Sequence, residues 1–187
     1  VNDFSSMIKS IEGPETCNTY NMLKLTKALF ATLPKSYYMD YYERALYNHI
    51  LSTENHEKGG FVYFTPMRPG HYRVYSQPQT SFWCCVGSGL ENHAKYGEMI
   101  YAHSDNDLYV NLFIPSTLKW ADRKILIRQE NNFPETPSTK LIVDLTGKGN
   151  FNLKLRSPEW ANPSEVTISI NGKQQHVQPD ADGYFTL

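Results

Sequence analysis

The sequence holds three cysteines, and their placement is uneven. Cys84 and Cys85 are adjacent in "SFWCCVGSGLENH", and Cys17 follows Glu15 by two residues in "GPETCNTYNML". A vicinal pair closes a disulfide only through a strained ring, and bridging Cys17 to either neighbour leaves an odd thiol, a poor disulfide framework. The three thiols can also be small apolar residues in a core, which is what most free cysteines are. A metal is the third reading. Three thiolates and one carboxylate supply four donors, and soft sulfur selects zinc over magnesium or calcium. Purely structural zinc sites more often use cysteine and histidine alone, so a less firmly held ligand here is free for a second task. Spacing alone leaves these readings open.

The elements around these residues decide how they can meet. In an extended segment residues i and i+2 point the same way, so Glu15 and Cys17 can grip one ion if they precede a helix. Asn18 or Thr19 can cap that helix, which runs to about Leu33 with Met22, Leu25, Leu29 and Leu33 at helical spacing before Pro34 stops it. Ser36 caps a second helix with Tyr38, Tyr41, Tyr42, Ala45, Leu46 and His49 on one face. Polar residues 52–60 end in Gly59-Gly60, a loop signal. "FVYFTP" reads as a short strand, and the Pro/Gly-rich stretch 66–80 as irregular connection with a strand at "YRVYS". Ser88 to Glu91 matches a capping box opening a third helix that reaches about Ile100. That start places Cys84 and Cys85 just ahead of a helix N-terminus, where free amides and the positive dipole end favour thiolate. Gly87 and Gly89 give the backbone room to turn both sulfurs inward.

From residue 107 the period changes to two. "DLYVNLFIP", "RKILIRQ", "TKLIVDL", "FNLKLRS", "VTISI" and "GYFTL" are strand-like and separated by turn residues. Phe151, Leu153 and Leu155 alternate with Asn152, Lys154 and Arg156, the pattern of a half-buried strand. Asn171-Gly172 stands where a tight hairpin wants it. Six segments of this kind predict an antiparallel β-sandwich that is incomplete at its C-terminus. Hydrophobic residues make up 40% and charged residues 20%, enough for a real core, and a net charge of -1 predicts no affinity for nucleic acid. No apolar run approaches the roughly 20 residues that span a bilayer, so no membrane partner is expected either. The N-terminus carries neither a signal nor a transit pattern and begins without Met, as an excised piece of a longer protein does. Thirteen tyrosines, nine phenylalanines and three tryptophans suit either a sugar-binding surface or an aromatic core.

"GPETCNTYNMLKLTKALF", "YYERALYNHIL", "GGFVYFTPMRPGHYRVYS" and "SFWCCVGSGLENHAKYGEMIY" resemble the bacterial β-L-arabinofuranosidases of glycoside hydrolase family 127 and its close relative family 146. The similarity continues through "DLYVNLFIPSTLKW" and "KLRSPEWA" and covers nearly the whole chain. The combination of Glu-x-Cys with Cys-Cys is more specific than any single cysteine. The resemblance implies an α+β chain in two parts: residues 1–105 as C-terminal helices of an (α/α)6 catalytic barrel, and residues 106–187 as the sandwich. It implies Zn2+ held by Glu15, Cys17, Cys84 and Cys85, with Cys84 also the nucleophile of a retaining reaction on a carbohydrate substrate. Glu43, from E-R-x-L-Y-N, and Tyr63, from F-x-Y, are implied as substrate contacts. The family's acid/base glutamate lies upstream of the E-x-C motif at a distance Glu12 does not match, so the proton donor is expected before Val1. The fragment alone is then expected to be inactive, with helix faces exposed where neighbours are missing. Oligomeric state and compartment, cytoplasmic or periplasmic, are left open by the sequence.

Other residues carry weaker signals. Among the six histidines, His93 is nearest in sequence to the paired cysteines, and a hydrogen-bonded helix histidine is the simpler reading of it. "HEKGG" at 56–60 lacks the second histidine of a zinc protease. Trp83 can platform a sugar or pack as an aromatic, and Glu91 with Lys95 reads as a helix surface pair. The competing hypothesis to a glycosidase is a non-catalytic sandwich module that binds carbohydrate or braces a partner around a structural metal.

Overall fold

The computed structural model describes residue 3 and residues 5–147 and 150–187. It is α+β and divides into two compact units, residues 1–33 with 40–96 and residues 34–39 with 97–187.

The first unit contains helices α1 (Ser5–Lys9), α2 (Thr16–Thr32), most of α3 (Ser36–Asn48) and α4 (Cys84–Asn92). Helix α2 stops where expected, with Leu33 extended ahead of Pro34 because a residue before proline is pushed out of the α region. Its buried face is Thr16, Tyr20, Leu23, Thr26 and Phe30. Met22, Leu25, Leu29 and Leu33, the stripe picked out by spacing, stand 40–49% exposed on another face. The sequence carries two helical stripes, and the aromatic one is covered within this chain. On α3 the buried residues include Met39, Asp40, Tyr42, Glu43 and Leu46, whereas Tyr41 is exposed.

Residues 61–65 do not form the strand expected of "FVYFTP" but make single bridges to three segments: Glu54↔Phe61, Val62↔Tyr75 and Glu15↔Phe64. "YRVYS" likewise contributes only the Tyr75 bridge. The 61–65 segment is nevertheless the seam of this unit. The Thr65 amide donates to the Pro14 carbonyl and the Thr16 amide to the Tyr63 carbonyl, both at 3.0 Å. The fully buried Thr16 hydroxyl donates to the Val62 carbonyl at 2.7 Å. Gly13 permits this approach, because a Cβ there would lie 2.1 Å from the Thr65 carbonyl oxygen and its φ is +71°.

Among the described residues the second unit holds nine strands: β1 (Tyr101–His103), β2 (Asp107–Val110), β3 (Ser116–Trp120), β4 (Ile125–Asn131), β5 (Thr139–Leu145), β6 (Asn152–Arg156), β7 (Ile168–Ile170), β8 (Lys173–Gln175) and β9 (Tyr184–Thr186). They form a four-stranded sheet in the order β1-β2-β6-β9, a three-stranded sheet β3-β4-β5 and a hairpin β7-β8 that turns at Asn171-Gly172 as the dipeptide predicts. The expectation of purely antiparallel pairing fails at one place, since β2 and β6 run parallel from Asp107↔Asn152 to Val110↔Leu155. These strands are not neighbours in sequence, and the long connection through β3, β4 and β5 lets the chain return in the same direction.

Both sheets feed one apolar core, in which Leu108 meets Trp120, Ile125 and Ile127, with Leu118, Val143 and Leu153 packed around them. In β6 the alternation is broken at its end. Arg156 was expected outward yet is 1% exposed, because β6 lies between β2 and β9 and its Nε donates to the Asn111 carbonyl at 2.6 Å. The fully buried Asn111 in turn accepts the Tyr184 hydroxyl at 2.8 Å. A buried guanidinium needs such partners to offset its lost hydration.

Candidate metal centre

Two helix beginnings bring the sulfurs together. Helix α4 starts at Cys84, not at Ser88, so both vicinal cysteines lie in its first turn with Trp83 at the N-cap. In a helix each Cα–Cβ bond tilts toward the N-terminus, so two adjacent first-turn residues can both reach past the helix end. Ser88 does not cap; its hydroxyl lies 3.1 Å from the Cys17 sulfur. Helix α2 begins one residue after Glu15, which is extended at φ -84° and ψ 134° and makes no side-chain cap bond. Glu15 and Cys17 therefore do not share one extended segment as expected. They straddle the helix start, and the carboxylate is spared for the cluster.

Gly89 sets how closely α4 approaches the seam. A Cβ at this position would lie 2.5 Å from Phe61 Cγ, so only glycine lets the helix lie against that ring. Gly87 has open space around it and plays no comparable part.

The result is a group of four ligand atoms, one each from Glu15, Cys17, Cys84 and Cys85, all within 4.8 Å of one another. The Cys17 and Cys85 sulfurs are 3.1 Å apart, and those of Cys84 and Cys85 3.9 Å. The Cys84 sulfur is 3.7 Å from Glu15 Oε1. Tetrahedral zinc with bonds of about 2.3 Å to sulfur wants sulfurs about 3.8 Å apart. The donor set and spacing fit such an ion, after the Cys17–Cys85 separation of 3.1 Å widens by about 0.7 Å. All three thiols are free, so neither disulfide reading holds. The small-apolar reading suits Cys85, which is buried, but not Cys84, which is exposed.

The thiols differ in acidity. A hydrogen bond from the Tyr63 hydroxyl is the main cause holding the Cys84 thiol below its ordinary value. The same bond is the main cause pushing Tyr63 up to about 12, since the phenol must keep its proton to donate. Burial raises Cys17, and it raises Cys85 further, beyond the usual thiol range. The Cys85 sulfur also lies 3.8 Å from the Tyr63 carbonyl. Of the three thiols, Cys84 alone is shifted toward easier ionisation.

The remaining candidates divide. Tyr63 stands against Cys84. Glu43 is buried on α3 and is not one of the four clustered residues. His93 is engaged elsewhere: Nε2 lies 3.2 Å from the Thr53 hydroxyl, Nδ1 bonds the Tyr96 hydroxyl, and the ring stacks on Phe61 at 5.6 Å. Trp83 packs edge-on against Tyr63 with ring centroids 6.2 Å apart. Glu91 accepts the Tyr20 hydroxyl at 2.8 Å, so its expected surface role is taken up by an α2–α4 contact. Sequence reading missed Ser88 as a neighbour of Cys17. Its position one turn after Cys85 was the available clue.

Comparison with known proteins bears on the whole chain. The profile of the β-L-arabinofuranosidase GH127 catalytic domain matches residues 2–98, and that of the GH127 middle domain matches residues 107–187. Among solved structures, a GH127 β-L-arabinofuranosidase from Geobacillus stearothermophilus superposes with a TM-score of 0.75 at 25% identity, over 95% of this chain and 31% of that one. A second GH127 β-arabinofuranosidase gives 0.74 at 25% identity over 95% and 31% of the two chains. A chain described only as a glycoside hydrolase shares the fold, with a TM-score of 0.80 at 20% identity over 95% and 32%. This chain thus spans about a third of the length of each of these structures. No curated protein matches it. With its two parts matched in order by the catalytic and middle domains, the chain belongs to glycoside hydrolase family 127.

Proposed function

We propose that the full-length protein is a zinc-dependent retaining glycosidase acting on β-L-arabinofuranosides of plant-type or glycoprotein glycans. Residues 1–105 are read as the end of its (α/α)6 barrel and residues 106–187 as a β-sandwich, a reading supported by the shared core of the two sheets. Glu15, Cys17, Cys84 and Cys85 hold the ion, and Cys84 is the nucleophile. The observation that carries this reading is the convergence of those four ligand atoms within 4.8 Å. Zinc bound there supplies positive charge that keeps thiols deprotonated near neutral pH.

The protein's own groups then act as follows. The Cys84 sulfur attacks the anomeric carbon, the bond to the departing oxygen breaks, and that oxygen takes a proton from a general acid. Water next attacks the same carbon, giving its proton to the base left by the first step, while the carbon–sulfur bond breaks and returns its electron pair to Cys84. Two inversions give net retention. Tyr63, already a hydrogen-bond donor to Cys84, and buried Glu43 are assigned to hold the sugar. The exposure of Cys84 beside buried Cys85 favours this reading over a purely structural metal site, because a substrate carbon must reach the sulfur.

The test uses the full-length protein and an aryl β-L-arabinofuranoside. Cys84→Ser is expected to abolish turnover while leaving sugar affinity largely intact. Turnover by that variant near the wild-type rate overturns Cys84 as nucleophile. A wild-type protein that binds glycans but hydrolyses none across a broad panel overturns the enzyme.

A further inference from the structure

Resting on that reading of the centre, we infer that His49 is a positioning residue that locks together the two segments carrying its ligands and its tyrosine. His49 follows the last residue of α3 and precedes the turn Ile50–Thr53. Its ring is buried, and both nitrogens are engaged. Nδ1 lies 2.8 Å from the Thr19 hydroxyl and Nε2 3.1 Å from the Thr65 hydroxyl. A neutral imidazole has one donor and one acceptor, while a hydroxyl can play either part, so either tautomer satisfies both contacts.

The location of the two threonines gives the ring its importance. Thr19 lies two residues beyond Cys17 in the first turns of α2, and Thr65 two residues beyond Tyr63 on the seam. Backbone bonds at Pro14 and Thr16 already fix how these segments slide past one another. The roll of α2 about that seam is set by side-chain contacts, of which Tyr20 with Glu91 faces α4 and Thr19 with His49 faces the seam. A bridge from Thr19 through the ring to Thr65 stops that roll and so sets where the Cys17 sulfur stands relative to Cys85 and where the Tyr63 hydroxyl stands relative to Cys84. Removing the ring leaves two half-buried hydroxyls short of a partner and the space of the buried ring unfilled, a cost that shifts backbone. Burial, the main cause, and nearby Arg73 hold the imidazole below its usual value, consistent with a neutral ring.

The experiment loads the full-length protein with cobalt(II) and records the thiolate-to-cobalt and ligand-field absorption, the cobalt affinity and the kinetic constants. His49→Ala is expected to lose about tenfold in cobalt affinity, the lower end of what supporting residues around a metal site contribute. Its ligand-field bands should shift, and kcat should fall with little change in KM. His49→Gln, which can keep one of the two bonds, should recover most of both losses. A general loss of packing moves stability but does not predict that split or that rescue. If His49→Ala fails to fold, Thr19→Val and Thr65→Val read the same bridge from its ends. Wild-type spectra and affinity in all variants that fold overturn the inference. A wild-type protein that takes up no cobalt overturns the centre itself, a distinct result.

Discussion

Tyr63 serves the cluster through both ends of the residue. Its carbonyl takes the Thr16 amide and faces the Cys85 sulfur, while its hydroxyl donates to Cys84. Because that hydroxyl stabilises the thiolate, Tyr63→Phe is expected to raise the Cys84 value and slow its alkylation by iodoacetamide near neutral pH in metal-free protein. The check is the rate against pH: the midpoint moves up in the variant, while Cys85 stays the slowest thiol in both forms. A second prediction concerns His49 and His93, both held below the ordinary imidazole value chiefly by burial. The unfolded chain therefore binds protons more readily than the folded one. The stabilisation is complete above about pH 6.5 and is lost as pH falls below it. Urea midpoints should fall between about pH 7 and pH 5.5, and less so in a His49→Gln, His93→Gln double variant. At this scale the sequence was informative where residue types are rare. Glu15, Cys17, Cys84 and Cys85 could be grouped from type and spacing, whereas Tyr63 needed the family resemblance. Ser88 was hidden because a serine three residues before a glutamate has a simpler local explanation.

Helices α2 and α4 both point their N-terminal ends at the cluster, so the four ligands depend on how these two elements are seated. Gly89 controls α4. Gly89→Ala is expected to cost about 1–3 kcal/mol by overpacking against Phe61, read as a lower urea midpoint, and to weaken cobalt uptake by displacing Cys84 and Cys85 together. An unchanged midpoint would show that Phe61 yields at no cost. The element most misread from sequence was α4 itself, started four residues late because Ser88-x-x-Glu91 outweighed a Trp-Cys-Cys entry with no capping side chain. Helix α4 also ends at Asn92, short of the expected Ile100. Strand β1 (three residues) falls in the gap between that expected helix end and the first strand-like segment at Asp107, and β3 carries too few apolar residues to stand out. The parallel register of β2 with β6 is a non-local pairing that no local pattern encodes.

At the scale of the whole molecule, Met22, Leu25, Leu29 and Leu33 form a contiguous apolar stripe, 40–49% exposed, of the kind that marks a docking face. The chain by itself is expected to bind a hydrophobic dye and to associate with rising concentration in sedimentation. Leu25→Glu with Leu29→Glu should reduce both effects and leave the helix content unchanged. The same pair of substitutions in the full-length protein should lower its stability, which a thermal melt would show. Among the described residues no helix is long and apolar enough to cross a membrane. One feature of the cluster bears on biosynthesis. Cys17 and Cys85 are 68 positions apart, so of these four groups the nascent polypeptide offers only a carboxylate and one sulfur until the adjacent Cys84 and Cys85 have been translated. If these four groups hold an ion as proposed, its tight capture must wait for chain collapse, and loading becomes a late checkpoint on correct maturation.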